Sequence, residues 1–314
     1  MFHIYLPIAE VSVNLLTLMA IGGGVGFLSG LFGVGGGFLM TPLLIFIGIP
    51  PAIAVGSEAN QLAAASLSGV IAHWRACRVD LRMGIMLLIG GLIGSTFGVS
   101  LFAWLRATGH VDLVIKLLYV VLLSSIGTMM MIESVRANLK SRRQATDPEN
   151  SENDSDQPTP VTWRQRLPWQ MEFPTSGVTI SAFLPVGLGI IIGVLAAIMG
   201  IGGGFIMVPA MIYLLGMPTP IVIGTSLFQI MFVASNVTLQ QAIRVQTVDV
   251  VLALLLMAGS VLGAQIGVRA GAKLKGEELR FLLALIVLVV CGWMVFNLVR
   301  EPIELFAIVT GGGH

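Results

Sequence analysis

The sequence predicts an all-α polytopic membrane protein. It is built as two inverted repeats of about five membrane segments each, with short Gly-led broken helices at the centre. Three observations carry this. Of 314 residues, 56% are hydrophobic and only 11% are charged, where soluble domains carry about 25% charged residues. A Gly-rich motif occurs twice, in register. The basic residues are distributed unevenly along the chain.

Apolar runs close to the ~20 residues that span a bilayer as a helix recur throughout. No run alternates as a barrel strand does, so backbone satisfaction in lipid requires helices. The two cysteines, Cys77 and Cys291, stand alone without metal or redox spacing. No basic region or cleavage site precedes the first segment, which reads as a retained span rather than a signal peptide.

Residues 1–135 read as a first membrane repeat, 136–180 as a cytoplasmic linker that is largely disordered, and 181–314 as a second membrane repeat. Val13 to Phe32 is the first span. The loop Gly33-Val34-Gly35-Gly36-Gly37-Phe38 follows. Phe38 to Ile49 is apolar but too short to span upright at about 1.5 Å per residue. Pro50-Pro51 ends it, and Pro51 suits the first turn of the third segment, Ala52 to Trp74. Met83 to Leu105 is the fourth segment. Its Gly90, Gly94 and Gly98 form one smooth face for close helix packing. Val111 to Ile132 is the fifth.

The linker opens with Arg136, Lys140, Arg142 and Arg143 and continues into an acidic stretch, 146–160, that cannot bury a core. Trp163 to Phe173 reads either as a short interfacial helix or as loop. The second half then repeats the first. Ala182 to Met199 is followed by Gly200-Ile201-Gly202-Gly203-Gly204-Phe205. Phe205 to Met217, Ile221 to Ile243, Val248 to Val268 and Leu279 to Val299 match segments two to five. Gly33 and Gly200 are 167 apart, Asp80 and Asp249 are 169 apart, and Gly259, Gly263 and Gly267 repeat the smooth face.

Orientation follows from Lys and Arg, which favour the cytoplasmic side. A cytoplasmic linker places Arg75, Arg78 and Arg82 inside. The Arg269–Arg280 cluster joins them only if the short Gly-led segments cross. Thirteen of the 17 basic residues are then cytoplasmic, with Arg106, Arg244 and Arg300 outside and Lys116 within the fifth span. Five crossings per half make the repeats inverted, and both termini face out.

Inverted Gly loops approach the membrane centre from opposite sides. Each offers free N–H groups and a helix N-terminus, which carries about half a positive charge and attracts anions. Two breaks at matching positions are the strongest sequence pointer to a transporter site. The expected ligand is a small anion held by Gly35, Gly36, Gly37, Gly202, Gly203 and Gly204. Close helix packing alone is the competing reading of these glycines.

The third segments add Ser57, Asn60 and Gln61 in the first half, and Thr225, Ser226 and Gln229 in the second. Ser57/Gln61 and Thr225/Gln229 are four apart, on one helix face. Glu58 is the one carboxylate inside an apolar segment, where a charge is costly and usually functional. It reads as a coupling residue for H+ or Na+, against a structural alternative as a partner of Lys116. Asp80 and Asp249 read as N-caps of the fourth helices. His73 and Arg75 are weaker candidates for lining an exit.

The Gly loop lacks the final glycine of a dinucleotide fingerprint and sits in no strand–helix unit. No Ser/His pair or zinc motif is present. The reading is therefore of a non-enzyme with no catalytic residues, no metal and no cofactor. Its partners are a small anion and the lipid bilayer, with no nucleic acid, and an oligomer is compatible with it.

The chain also resembles the sulfite exporter TauE/SafE family, the TSUP permeases. The residues that carry this are the paired Gly loops with downstream Pro42 and Pro209, Gly56-Ser57 and Gly224-Thr225, and the Val-Asp pairs ending at Asp80 and Asp249. The resemblance covers about residues 13–135 and 180–300. It implies transport of sulfite, sulfonates or sulfoacetate across the bacterial inner membrane, with export favoured by the family name, and the inverted halves suggest alternating access as the means. An uncoupled anion channel or an uptake permease for another small organic anion is the alternative. The family is described with seven or eight spans, fewer than the ten segments counted here.

Overall fold

The computed structural model describes residues 3–32, 35–146, 169–271 and 276–299. Ten α-helices account for most of them. The first half has α1 (Leu15–Phe32), α2 (Gly37–Phe46), α3 (Pro51–Arg75), α4 (Leu81–Ala107) and α5 (Val111–Thr146). The second has α6 (Phe183–Met199), α7 (Gly204–Tyr213), α8 (Thr219–Gln240), α9 (Val250–Gly271) and α10 (Gly276–Val299). These follow the segments read from sequence. A π-helical turn, Gln241–Val245, extends α8.

Local chemistry sets the boundaries. Pro51 and Pro220 sit in the first turns of α3 and α8, where a missing N–H costs nothing. Gly200, at φ 75°, closes α6 by donating its N–H to Ala196 O at 2.9 Å. That left-handed backbone suits glycine. Asp80 caps α4 by accepting from Met83 N at 3.1 Å.

Among the described residues, four helical stretches are long and apolar enough to cross a membrane: Leu81–Ala107, Val111–Met129, Ile221–Val245 and Val250–Gly267. Their outward faces carry exposed Phe97, Trp104, Val121, Leu262 and Ile266. A belt of this kind fits hydrocarbon rather than water. α2 and α7 have 10 residues each, about 15 Å of helix, half the hydrocarbon thickness.

The helices pair across the halves. α1 packs on α9, α4 on α6, α3 on α8 and α5 on α10. The glycine faces lie in the first two pairs. A Cβ on Gly98 would stand 2.9 Å from Val194 O, and one on Gly263 would stand 2.8 Å from Phe27 N. Contacts advance together along α1 and α9, from Gly22–Leu256 to Gly30–Ala264, so these helices run parallel. α4 and α6 do the same, from Gly90–Val186 to Gly98–Val194. The other two pairs are antiparallel. Leu62 and Ile230 share one cluster while Gly69 meets Leu227. Val120 meets Cys291 while Gly127 meets Leu288.

Three stretches differ from the sequence reading. α5 runs on to Thr146, past the boundary placed at residue 135. At 36 residues it is about 54 Å long and outreaches the bilayer. The lead before α1 is a β-hairpin, β1 (His3–Leu6) with β2 (Val11–Asn14). The end of the expected linker is a second hairpin, β3 (Gln170–Phe173) with β4 (Val178–Ser181); residues 163–168, most of the stretch read as interfacial helix or loop, lie outside the described residues. Leu6, Val13, Phe173 and Ile180 are buried beneath these hairpins. Most of the expected linker, residues 147–168, lies outside the described residues, as do Gly33, Val34 and the C-terminal residues.

Candidate functional site

The two Gly loops meet. A Cβ on Gly37 would stand 2.9 Å from both the Cα and the carbonyl O of Ile201, so the absence of a side chain allows the loops to touch. Beside this contact Phe38 and Phe205 stack, with ring centroids 4.3 Å apart and planes 13° from parallel. Gly35, Gly202 and Gly203 take φ of 74°, 67° and 79°. Gly36 and Gly203 are the N-cap residues of α2 and α7. The N-termini of both short helices thus start from one buried junction. Leu62 of α3 lies against it, 3.8 Å from the Cβ position of Gly35 and 3.1 Å from that of Gly202.

Around the junction are buried polar atoms that lack partners among the described residues. They are Glu58 Oε1, Gln61 Oε1, and both amide atoms of Gln229. Glu58 and Gln229 are 0% exposed and Gln61 is 2% exposed. Buried polar groups are nearly always satisfied, because each lost hydrogen bond costs about 1–3 kcal/mol. Orphaned polar atoms beside a pair of helix N-termini are free to bond a polar ligand. Glycines make room for two of them. A Cβ on Gly37 would stand 2.7 Å from Glu58 Oε1, and one on Gly91 would stand 2.6 Å from Gln229 Nε2.

Glu58 Oε2 accepts a hydrogen bond from the Thr41 hydroxyl of α2. Next to them, Tyr119 of α5 donates its hydroxyl to Met199 O at 2.7 Å. Glu58 therefore has Thr41, not Lys116, as its side-chain partner. Thr41 and Tyr119 were not singled out from sequence. A signal existed for Thr41: its counterpart is Val208, and that of Glu58 is Ser226. Two departures from the repeat are bonded to each other.

The hydroxyls of the third segments do structural work. Ser57 Oγ accepts from Asp249 N at 2.9 Å, and Thr225 Oγ1 accepts from Asp80 N at 3.0 Å. Ser226 donates to Ile223 O of its own helix at 3.0 Å. Asn60 is half-buried. The two aspartates hold more than their own helices. Asp249 caps α9 through Val251 N and Leu252 N, both at 3.1 Å, and binds Ile8 N at 3.0 Å in the first hairpin turn. Asp80 caps α4 and accepts from both the N–H, at 3.2 Å, and the hydroxyl of Ser176 in the second hairpin turn. His73 is half-buried and Arg75 exposed at the end of α3. No group of three or more metal-ligating side chains occurs among the described residues.

Residues 18–294 match the family described as sulfite exporter TauE/SafE. The chain belongs to that family. Among curated relatives, it is 28% identical over 283 residues to the probable membrane transporter protein YjnA of Bacillus subtilis (strain 168), covering 89% of this chain and 97% of that protein. A probable membrane transporter protein of Xylella fastidiosa (strain 9a5c) is 28% identical over 288 residues, 90% of this chain and 96% of the relative. YunE of Bacillus subtilis, another probable membrane transporter protein, is 22% identical over 294 residues, 88% and 96% of the two chains. No solved structure matches. A multi-pass membrane transporter is thus the setting in which a TauE/SafE member presents this junction.

Proposed function

We propose that the protein is a secondary transporter for a small sulfur-containing anion of the sulfite, sulfonate or sulfoacetate class. It works in the bacterial inner membrane by alternating access between two inverted halves, coupled to H+ or Na+, with export favoured by the family's description. The observation that carries this is the buried junction, where two helix N-termini meet beside the orphaned Glu58, Gln61 and Gln229. Backbone dipoles hold an anion there without a buried arginine, so the ligand can leave again. Gly35–Gly37 and Gly202–Gly204 form the cradle. Gln229 donates to the anion through Nε2 and Gln61 through its NH2 once the amide is turned inward, Asn60 lines the approach, and Ser57, Thr225 and Ser226 fix the backbone around it.

The helix pairing supports the inverted arrangement. If α2 and α7 did not cross, each half would have four crossings and α3 and α8 would point the same way. They run antiparallel, as five crossings per half require, and so do α5 and α10. This topology puts the first hairpin outside and the second in the cytoplasm. In a Cys77→Ser background, which removes the one exposed cysteine among the described residues, cysteines at exposed Glu10 and Thr175 should label from opposite faces. Labelling of both from the same face would remove the inverted reading.

Flux of labelled sulfite in proteoliposomes, with and without imposed H+ and Na+ gradients, tests the activity. Flux that follows neither gradient identifies a channel, and absence of flux for every sulfur oxyanion refutes the substrate class. The orphaned amides give a sharper test. A buried amide without a partner contributes nothing to stability, so Gln61→Leu and Gln229→Leu should leave the melting temperature unchanged or raised. Each hydrogen bond to an anion is worth about 1.5–3 kcal/mol, so each variant should lose about 10- to 100-fold in transport efficiency. Wild-type flux from both would exclude the glutamines from the site.

A further inference from the structure

We infer that Glu58 is a built-in competitor for the substrate anion. Its carboxylate lies against the first turn of α2, and an anion takes the N-terminal seat beside it only when the carboxyl carries a proton. The inference rests on the anion reading proposed above, and goes beyond it by stating how a proton and an anion share one site.

The seat is defined by position. Gly37 is the first residue of α2, and Glu58 Oε1 lies 2.7 Å from where its Cβ would be. That oxygen has no hydrogen-bond partner among the described residues. The second oxygen is tied to Thr41, one turn further along the same helix. The carboxylate thus flanks the first turn of α2, beside the helix N-terminus that a substrate anion would seek, and its Oε1 accepts none of the N–H groups there. Two negative charges at that distance repel strongly in a buried site. The competition is relieved in two ways: the substrate leaves, or Glu58 is neutralised by a proton.

Among the described residues, the surroundings offer no cation that neutralises Glu58 instead. α2 contributes Thr41, and the second Gly loop contributes the Ile201 backbone. α5 contributes Tyr119, whose hydroxyl is occupied by Met199 O and lies within electrostatic reach of Glu58. Asp249, at the start of α9, donates its backbone N–H to the adjacent Ser57, and its carboxylate is taken up by the α9 start and the first hairpin turn. The half-buried Lys116 of α5 makes no ion pair with Glu58 among the described residues. Only the first half has this carboxylate, because Ser226 stands at the matching position. One of the two helix N-termini is therefore regulated and the other is constitutive.

The test measures binding of methanesulfonate, which stays ionised throughout, to the purified full-length protein as pH is varied. Its Kd in the wild type should rise with pH, by up to about tenfold per unit if one proton is taken up with each anion. Glu58→Gln keeps the shape and removes the charge, so its Kd should be flat and match the low-pH wild-type value. Thr41→Val takes away the hydroxyl that holds the ionised carboxylate in place, and the second half carries Val208 at this position. It should extend tight binding to higher pH. A pH-independent wild type, loss of binding in Glu58→Gln, or a shift to lower pH in Thr41→Val would each overturn the inference. Absence of binding to wild type and Glu58→Gln alike at every pH would overturn the anion reading itself.

Discussion

Gly26→Ala and Gly193→Ala should each destabilise the protein by about 2–3 kcal/mol, whereas Gly24→Ala and Gly187→Ala should leave it unchanged or slightly more stable. All four lie in the first helices of the two halves. Alanine is the better helix former by about 0.5–1 kcal/mol, so helix propensity alone favours every one of these changes. The neighbours reverse the sign at two of them. A methyl on Gly26 would run into the Ser260 backbone of α9, and one on Gly193 would stand 2.8 Å from Ser95 N of α4. Backbone cannot swing aside as a side-chain tip can, and overpacking typically costs 1–3 kcal/mol. Nothing lies within 4 Å of the Cβ positions on Gly24 and Gly187. Thermal unfolding in detergent, with monodispersity as a second readout, separates the two sets. Equal behaviour of Gly24→Ala and Gly26→Ala would show that close approach to the opposite half is not what these glycines provide.

This pairing of helices was half legible in the sequence. The fourfold glycine spacing in α4 and α9 announced a smooth face, because small residues at that interval let helices approach in a membrane. The identity of the partner was hidden. α4 lies on α6 and α1 on α9, long-range choices that no local pattern encodes. Asp80 and Asp249 were readable as caps, since a cap is a local bond over three residues. Their second bonds, to hairpin turns 96 and 241 residues away, were not. The hairpins escaped because each strand has only four residues, at the lower limit for a period-two signal. At the junction, the glycines and Glu58 were visible as oddities in an apolar chain. Tyr119 looked like an ordinary helix residue, and Thr41 differed only in standing opposite Val208 of the repeat, until α2, α3 and α5 were brought together.

The paired aspartates lead to the second large effect. Asp80→Ala and Asp249→Ala should each cost about 3 kcal/mol, more than a cap alone. Losing an N-cap costs about 1 kcal/mol, and a bond to a charged acceptor adds about 1.5–3 kcal/mol, not fully additively. Asparagine separates the two roles. It caps a helix about as well as aspartate, so Asp80→Asn should keep Met83 N bonded and α4 intact. It has only one acceptor oxygen, and with that on α4 the amide NH2 faces the Ser176 N–H, where a donor meets a donor. The turn around Ser176 and Gly177 should then lose amide-exchange protection while the α4 start retains it. Asp249→Asn should do the same to Ile8 and Ala9 and leave Leu252 protected. In the inverted arrangement these turns lie on opposite membrane faces, so the two substitutions should loosen opposite sides of the transporter. Hydrogen exchange that changes at the same hairpin in both variants, or at neither, would sink this account. A match to the expected pattern would make each third-helix hydroxyl, Ser57 or Thr225, the link between the buried junction and one face, because each is bonded to the backbone of the aspartate that holds the turn.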